Sequence, residues 1–120
     1  MLKELESLEK SRIVVKYEVL DFKEGGNFYF LKLKVQLIDG SILYVREYVS
    51  EEDYIYSFHW QDDKGKLRIR WDNAPYHKNV RTFPHHKLTD KGVEGSHEIT
   101  LEDVLRVIEN KITSKDNVKR

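Results

Sequence analysis

The chain has no cysteine in 120 residues, only two prolines and one methionine, and no surplus of charge, since its 21 basic and 21 acidic residues cancel. Without cysteine there is no disulfide, no thiolate zinc site and no cysteine nucleophile. Without net charge, affinity for nucleic acid has to come from a local basic patch and not from the overall field. No apolar run approaches the length of a membrane span. The N-terminus, MLKELESLEKSR, alternates charge with leucine where a signal peptide has an apolar core. A cytoplasmic protein without membrane association is therefore expected. What is present, 39% hydrophobic and 12% aromatic residues, suffices for one modest core. A single domain is expected over residues 1–112, with 113–120 (SKDNVKR and the residue before it) as a flexible C-terminal tail.

Periodicity orders the elements. Leu2, Leu5 and Leu8 recur among Glu and Lys at helical spacing. From Arg12 the period changes to two, and Ile13, Val15, Tyr17 and Val19 mark a first strand that ends at the turn Glu24-Gly25-Gly26-Asn27. Leu31, Leu33, Val35 and Leu37 form the apolar side of a second strand, with Lys32, Lys34 and Gln36 on the other. Asp39-Gly40 then favours a two-residue hairpin, which would set Val35 against Tyr44, Leu33 against Arg46 and Lys32 against Glu47 as an ion pair. Tyr54, Tyr56, Phe58 and Trp60 alternate with Ile55, Ser57, His59 and Gln61 ahead of Asp62-Asp63-Lys64-Gly65 and of Leu67, Ile69 and Trp71. A four-residue loop there would pair Trp60 with Leu67, Phe58 with Ile69, His59 with Arg68 and Ser57 with Arg70, and a bulge at Gly65 would shift the pairs without changing the faces. Near the C-terminus, Thr100 and Asp103 resemble a capping box, and Leu101, Val104, Leu105, Ile108 and Ile112 supply a helical stripe. The fold class expected is α+β: an antiparallel sheet of about five strands with the N- and C-terminal helices packed on one face.

The chemistry concentrates after the last strong strand. Residues 70–88, RWDNAPYHKNVRTFPHHKL, hold three of the five histidines and both prolines, and the prolines argue for a long loop at an edge of the sheet. Imidazole titrates near neutrality, so His77 with His85 or His86 can exchange acid and base roles across a phosphodiester while Arg70 and Lys87 stabilise its charge. In such a reaction the RNA 2′-hydroxyl is the nucleophile, and neither metal nor cofactor is called for. Tyr76 can donate a proton or stack on a base, and Arg81, His59, Arg68, Asp72 and Asn73 are candidate substrate contacts. Asp72 and Asn73 equally suit a turn, and the stripe Tyr54, Tyr56, Phe58, Trp60 and Trp71 suits a core better than a base platform. His77, His85, His86 and Asp72 also contain enough donors for a metal, although their spacing matches no established ligand motif. A module that grips protein or RNA without cleaving it uses the same residues.

YSFHWQDDKGKLRIRWDNAPYHKNVRTFPHHKL, followed by a short linker and LEDVLRVIENKI, resembles the TumE-like family of small prokaryotic toxins from toxin–antitoxin systems. The resemblance rests on an aromatic strand ending in HWQD (His59 to Asp62), an R-[WY]-DNAP-H-H segment (Arg70 to His77) and a T-F-P-H-H-K-H segment (Thr82 to Leu88). Tyr76 and Leu88 stand where that pattern has histidine. The resemblance implies growth inhibition and a cognate antitoxin, commonly a helix-turn-helix DNA-binding protein. The ribonuclease expectation comes from the His/Arg/Lys chemistry and, by analogy, from the frequency of ribonucleases among small toxins.

Overall fold

The computed structural model describes residues 2–73 and 84–118, with side chains described to residue 114. Helix α1 (Lys3–Lys10) leads into strands β1 (Val14–Glu24), β2 (Phe28–Leu37), β3 (Ile42–Ser50), β4 (Tyr54–Gln61) and β5 (Leu67–Asp72). Two short strands, β6 (His86–Thr89) and β7 (Gly92–Gly95), precede helix α2 (Leu101–Val118). All pairings are antiparallel, and the order across the sheet is β1-β2-β3-β4-β5-β6-β7, the order of the sequence.

The α+β class and the two terminal helices are as expected, but the described sheet has seven strands where about five were expected. The additional pair, HKLT and GVEG, is four residues a side and lacks an alternating apolar pattern. It turns through Asp90 and Lys91 into Gly92, whose φ of +109° is a conformation that favours glycine. This hairpin continues the sheet beyond β5, and the long loop expected at an edge of the sheet falls largely on residues 74–83, outside the described residues.

The β2–β3 turn differs from the two-residue hairpin by one position. Leu37 N–H donates to the Ser41 carbonyl and Gly40 N–H to the Leu37 carbonyl, closing a three-residue loop with Gly40 at φ +86°. Val35 therefore faces Leu43, Leu33 faces Val45 and Lys32 faces Arg46. The reason is sidedness: a slip of one residue turns every side chain to the other face, and the two-residue register sets Arg46 against core Leu33. The expected Lys32–Glu47 ion pair does not form, and Glu47 is buried instead. In the β4–β5 hairpin a bulge after Trp60 shifts the register by two from the expected pairs, to Trp60–Ile69, Phe58–Trp71, His59–Arg70 and Ser57–Asp72, keeping the faces.

One face of the sheet carries the core. Leu31, Leu33, Val35, Leu43, Val45, Phe58, Trp60, Ile69 and Trp71 pack with Leu8 of α1 and with Leu101, Val104, Leu105, Ile108 and Ile112 of α2. The capping box at α2 forms as read: Asp103 N–H donates to Thr100 Oγ1 at 3.3 Å, and Thr100 N–H to Asp103 Oδ2 at 3.0 Å. The helix continues to Val118, through most of the segment expected as a tail. Strand β1 departs from alternation, because bulges at Val14/Lys16 and Val19/Asp21 leave Val15, Val19, Leu20 and Phe22 exposed.

Candidate functional site on the sheet face opposite the helices

The register fixes which side chains meet on the face opposite the helices. Cross-strand partners form a row, Lys32–Arg46–Ser57–Asp72–His86, running from β2 to β6. Two residues along each strand, a parallel row reads Lys34–Tyr44–His59–Arg70–Leu88. A groove of about 610 Å³ opens over this region, lined in part by Phe30, Arg46, Ser57, Arg70, Asp72 and His86.

The charged centre is built around Asp72. Its Oδ2 accepts from Arg70 Nε at 3.1 Å, and its Oδ1 lies 2.8 Å from His86 Nε2. His86 is only 5% exposed, and its Nδ1 lies 3.0 Å from the Pro84 carbonyl. Both ring nitrogens thus face oxygen atoms, one of the Asp72 carboxylate and one of the Pro84 carbonyl. Arg70 also reaches the other way: its Nη1 lies 3.4 Å from His59 Nδ1. An arginine only donates, so that contact is a hydrogen bond when Nδ1 is bare. Burial, and after it the Arg70 charge, holds His59 below its ordinary value and so favours the neutral ring.

The other sequence candidates fall elsewhere. His85 projects to the opposite side from His86, with its Nδ1 2.9 Å from Tyr56 Oη and its ring stacked on Tyr56 at 5.9 Å. Lys87 pairs with Trp71 and lines a groove together with Val107 and Lys111 of α2, so it does not join Arg70. Arg68 donates to Asp39 Oδ2 at 2.8 Å and lies 5.0 Å from the Trp60 ring, tying the β4–β5 hairpin to the β2–β3 turn. Burial alone would raise the Asp39 carboxyl, but hydrogen bonds from Ser41 and Arg68 hold it below its usual range. Asn73 works as a backbone substitute: its Oδ1 accepts from Tyr56 N–H at 3.0 Å and its Nδ2 donates to the Tyr54 carbonyl at 2.7 Å, extending the β4 ladder past the end of β5. Tyr76, His77 and Arg81 lie outside the described residues, which stop at Asn73 and resume at Pro84. Among the described residues no three histidine or carboxylate side chains converge in a group that could hold a metal.

Sequence reasoning missed Arg46, Ser57, Phe30 and Tyr48 as groove residues, since they precede the histidine-rich stretch and join it only through cross-strand pairing. It also missed a buried pair of acids. Glu4 of α1 and Glu47 of β3 are each 3% exposed. Tyr29 Oη donates to Glu4 Oε2 at 2.6 Å, and Tyr54 Oη to Glu47 Oε2 at 2.7 Å. Burial, reinforced by the neighbouring Glu4, pushes Glu47 up to about 8, so it keeps its proton at neutral pH. Burial and these carboxyl groups also raise both tyrosines.

The molecule is thus a small α+β protein with a helix-covered face and a polar groove on the other, in which an arginine is held between a carboxylate and an imidazole. The family model described as Toxin TumE matches residues 4–112, and the chain belongs to that toxin family. Membership makes it a toxin of a toxin–antitoxin system, with a cognate antitoxin as partner. No curated protein and no solved structure matches the chain. No helix among the described residues is long and apolar enough to cross a membrane.

Proposed function

We propose that this toxin cleaves RNA in the groove around Arg70, working in the cytoplasm until a helix-turn-helix antitoxin occludes it. The reading is carried by Arg70, which is shared between Asp72 and the neutral-leaning His59 at the lining of an open groove. When the phosphate draws Arg70 Nη1 away from His59 Nδ1, that bare nitrogen takes the proton of the 2′-hydroxyl as its oxygen attacks phosphorus. Arg70 stabilises the charge gathering on the phosphoryl oxygens. The bond to the 5′-oxygen breaks and that oxygen gains a proton, a step assigned to His77 in the connecting segment. The products are a 2′,3′-cyclic phosphate and a 5′-hydroxyl. Asp72 and His86 act as positioning residues that hold Arg70 in place. His85 and Lys87 face away from this groove and have no part in the step.

Labelled RNA incubated with the purified protein in chelator tests the reading. Cleavage should persist, should fall at least a hundredfold in His59→Ala and Arg70→Ala, and should yield cyclic phosphate ends. Asp72→Asn should lower activity less than the Arg70 change, as a positioning change, and because Asn keeps only one oxygen for the two donors Arg70 Nε and His86 Nε2 it should also cost about 1–2 kcal/mol in urea unfolding. Cleavage that survives His59→Ala and Arg70→Ala overturns the assignment, and cleavage abolished by chelator transfers the chemistry to a metal. A second reading, a module that binds RNA or the partner without cutting, draws on His86, whose two ring nitrogens are both engaged within the protein. Intact RNA with retained binding establishes it.

A further inference from the structure

Arg46 is the cation of the groove that Arg70 does not explain. Arg70 is committed to Asp72 and Arg68 to Asp39, whereas Arg46 has no carboxylate partner among the described residues. Its guanidinium lies 5.4 Å from the centre of the Phe30 ring, and its cross-strand neighbours are Lys32 and Ser57. Two residues along the strands from this row, Phe30, Tyr48 and Ile55 are cross-strand partners on the same face. Tyr48 is in turn stacked on Phe28 at 5.6 Å. Ile55 is 55% exposed, so this apolar row ends open to solvent.

From these positions we infer that the open sheet face is a track for single-stranded RNA, in which Arg46 binds a phosphate neighbouring the reacting one and Phe30 and Tyr48 seat a base. The inference rests on the RNA reading above and adds the form of substrate. Arg46 and Asp72 are two strand intervals apart, about 10 Å at the usual spacing. The length of the Arg46 side chain takes up part of that distance, and a phosphate next to the one at Arg70 comes within its reach when the bases are splayed instead of stacked at about 3.4 Å per step. The ring row lies about 7 Å from the phosphate row, two residues along each strand, a separation that lets a base leave the backbone and meet a flat surface. A duplex has its bases stacked internally and offers this row nothing to seat. Lys32 and Lys34 strengthen the field less than their number suggests, since each faces an acid of β1, Asp21 and Glu18. Arg46 is therefore the residue on which the track depends.

A fluorescein-labelled 2′-O-methyl RNA dodecamer, which cannot undergo the cleavage step, separates binding from chemistry when followed by anisotropy. The wild-type protein should prefer the single strand to the same sequence in a duplex by at least tenfold. Arg46→Ala should weaken binding about tenfold and reduce the slope of log K against log salt by about 0.7, the loss of one phosphate contact to a single strand. Tyr48→Leu should weaken binding to a similar extent without changing the salt slope, and Lys64→Ala, in the β4–β5 turn, should leave both unchanged. Circular dichroism melts of Arg46→Ala and Tyr48→Leu establish that they remain folded. Equal binding by wild type and both variants, or equal affinity for duplex, overturns the track. If unmodified RNA is still cleaved with unchanged KM in Arg46→Ala, the track fails while the reaction stands. If the wild type neither binds nor cleaves any RNA, the RNA reading fails and the track with it, and binding of the isolated antitoxin to this face takes its place.

Discussion

His59 shows how a neighbour sets a residue's chemistry. It lies between Tyr44, whose ring centre is 6.4 Å away, and Arg70, and burial with the Arg70 charge lowers its proton affinity from an ordinary value of 6.5. The acid limb of kcat/KM should accordingly fall below pH 6.5. In Arg70→Lys, whose shorter and differently shaped head group does not reproduce the contact, the limb should move upward, as a pH–rate profile on a dinucleotide substrate will show. Glu47 is shifted in the opposite sense. The folded protein holds its proton to about pH 8, while the unfolded carboxyl releases it near 4.5. Its contribution to stability is therefore complete below 4.5 and is lost as the pH rises through 8. Glu47→Gln keeps a neutral group of the same shape, so urea midpoints measured at pH 5, 7 and 9 should be flatter in the variant and higher than wild type at pH 9.

Elements, in this protein, place residues mainly through their ends. Strand β5 stops at Asp72, and Asn73 then continues the hydrogen-bonding of β4 with its side chain. Asn73→Ala strips the Tyr56 N–H and the Tyr54 carbonyl of their partner and should cost about 1–3 kcal/mol, read from the shift in urea midpoint. The same ends explain what was readable in advance. The alternating runs of β2, β4 and β5 and the stripe of α2 are burial patterns, and they predicted correctly which side chains face the helices. Pair registers were not readable, because they depend on whether Gly40 closes a three-residue loop and on a bulge after Trp60, choices that packing makes and local sequence only permits. The separation of His85 from His86 was available in principle: adjacent residues entering a strand point to opposite faces. It was obscured because β6 carries no alternating apolar signal and did not read as a strand.

At the scale of the molecule, one apolar cluster joins both helices to strands β2 through β5. A single cluster predicts a single cooperative transition, so the fluorescence of Trp60 and Trp71 and the far-ultraviolet circular dichroism should give coincident urea curves, and separate midpoints would show that the β6–β7 hairpin or α1 melts on its own. The order of the strands has a consequence of another kind, in time. Since each strand pairs with the next in sequence, the sheet can be laid down in the order in which a ribosome delivers it, every new strand finding its neighbour already in place. The cover does not arrive on that schedule. Leu101, Val104, Leu105, Ile108 and Ile112 follow every strand in sequence, so Phe58, Trp60 and Trp71 wait with much of their apolar face bare until α2 emerges. Birth of this toxin thus passes through a stage in which the face later sealed by its own helix is the stickiest surface it presents.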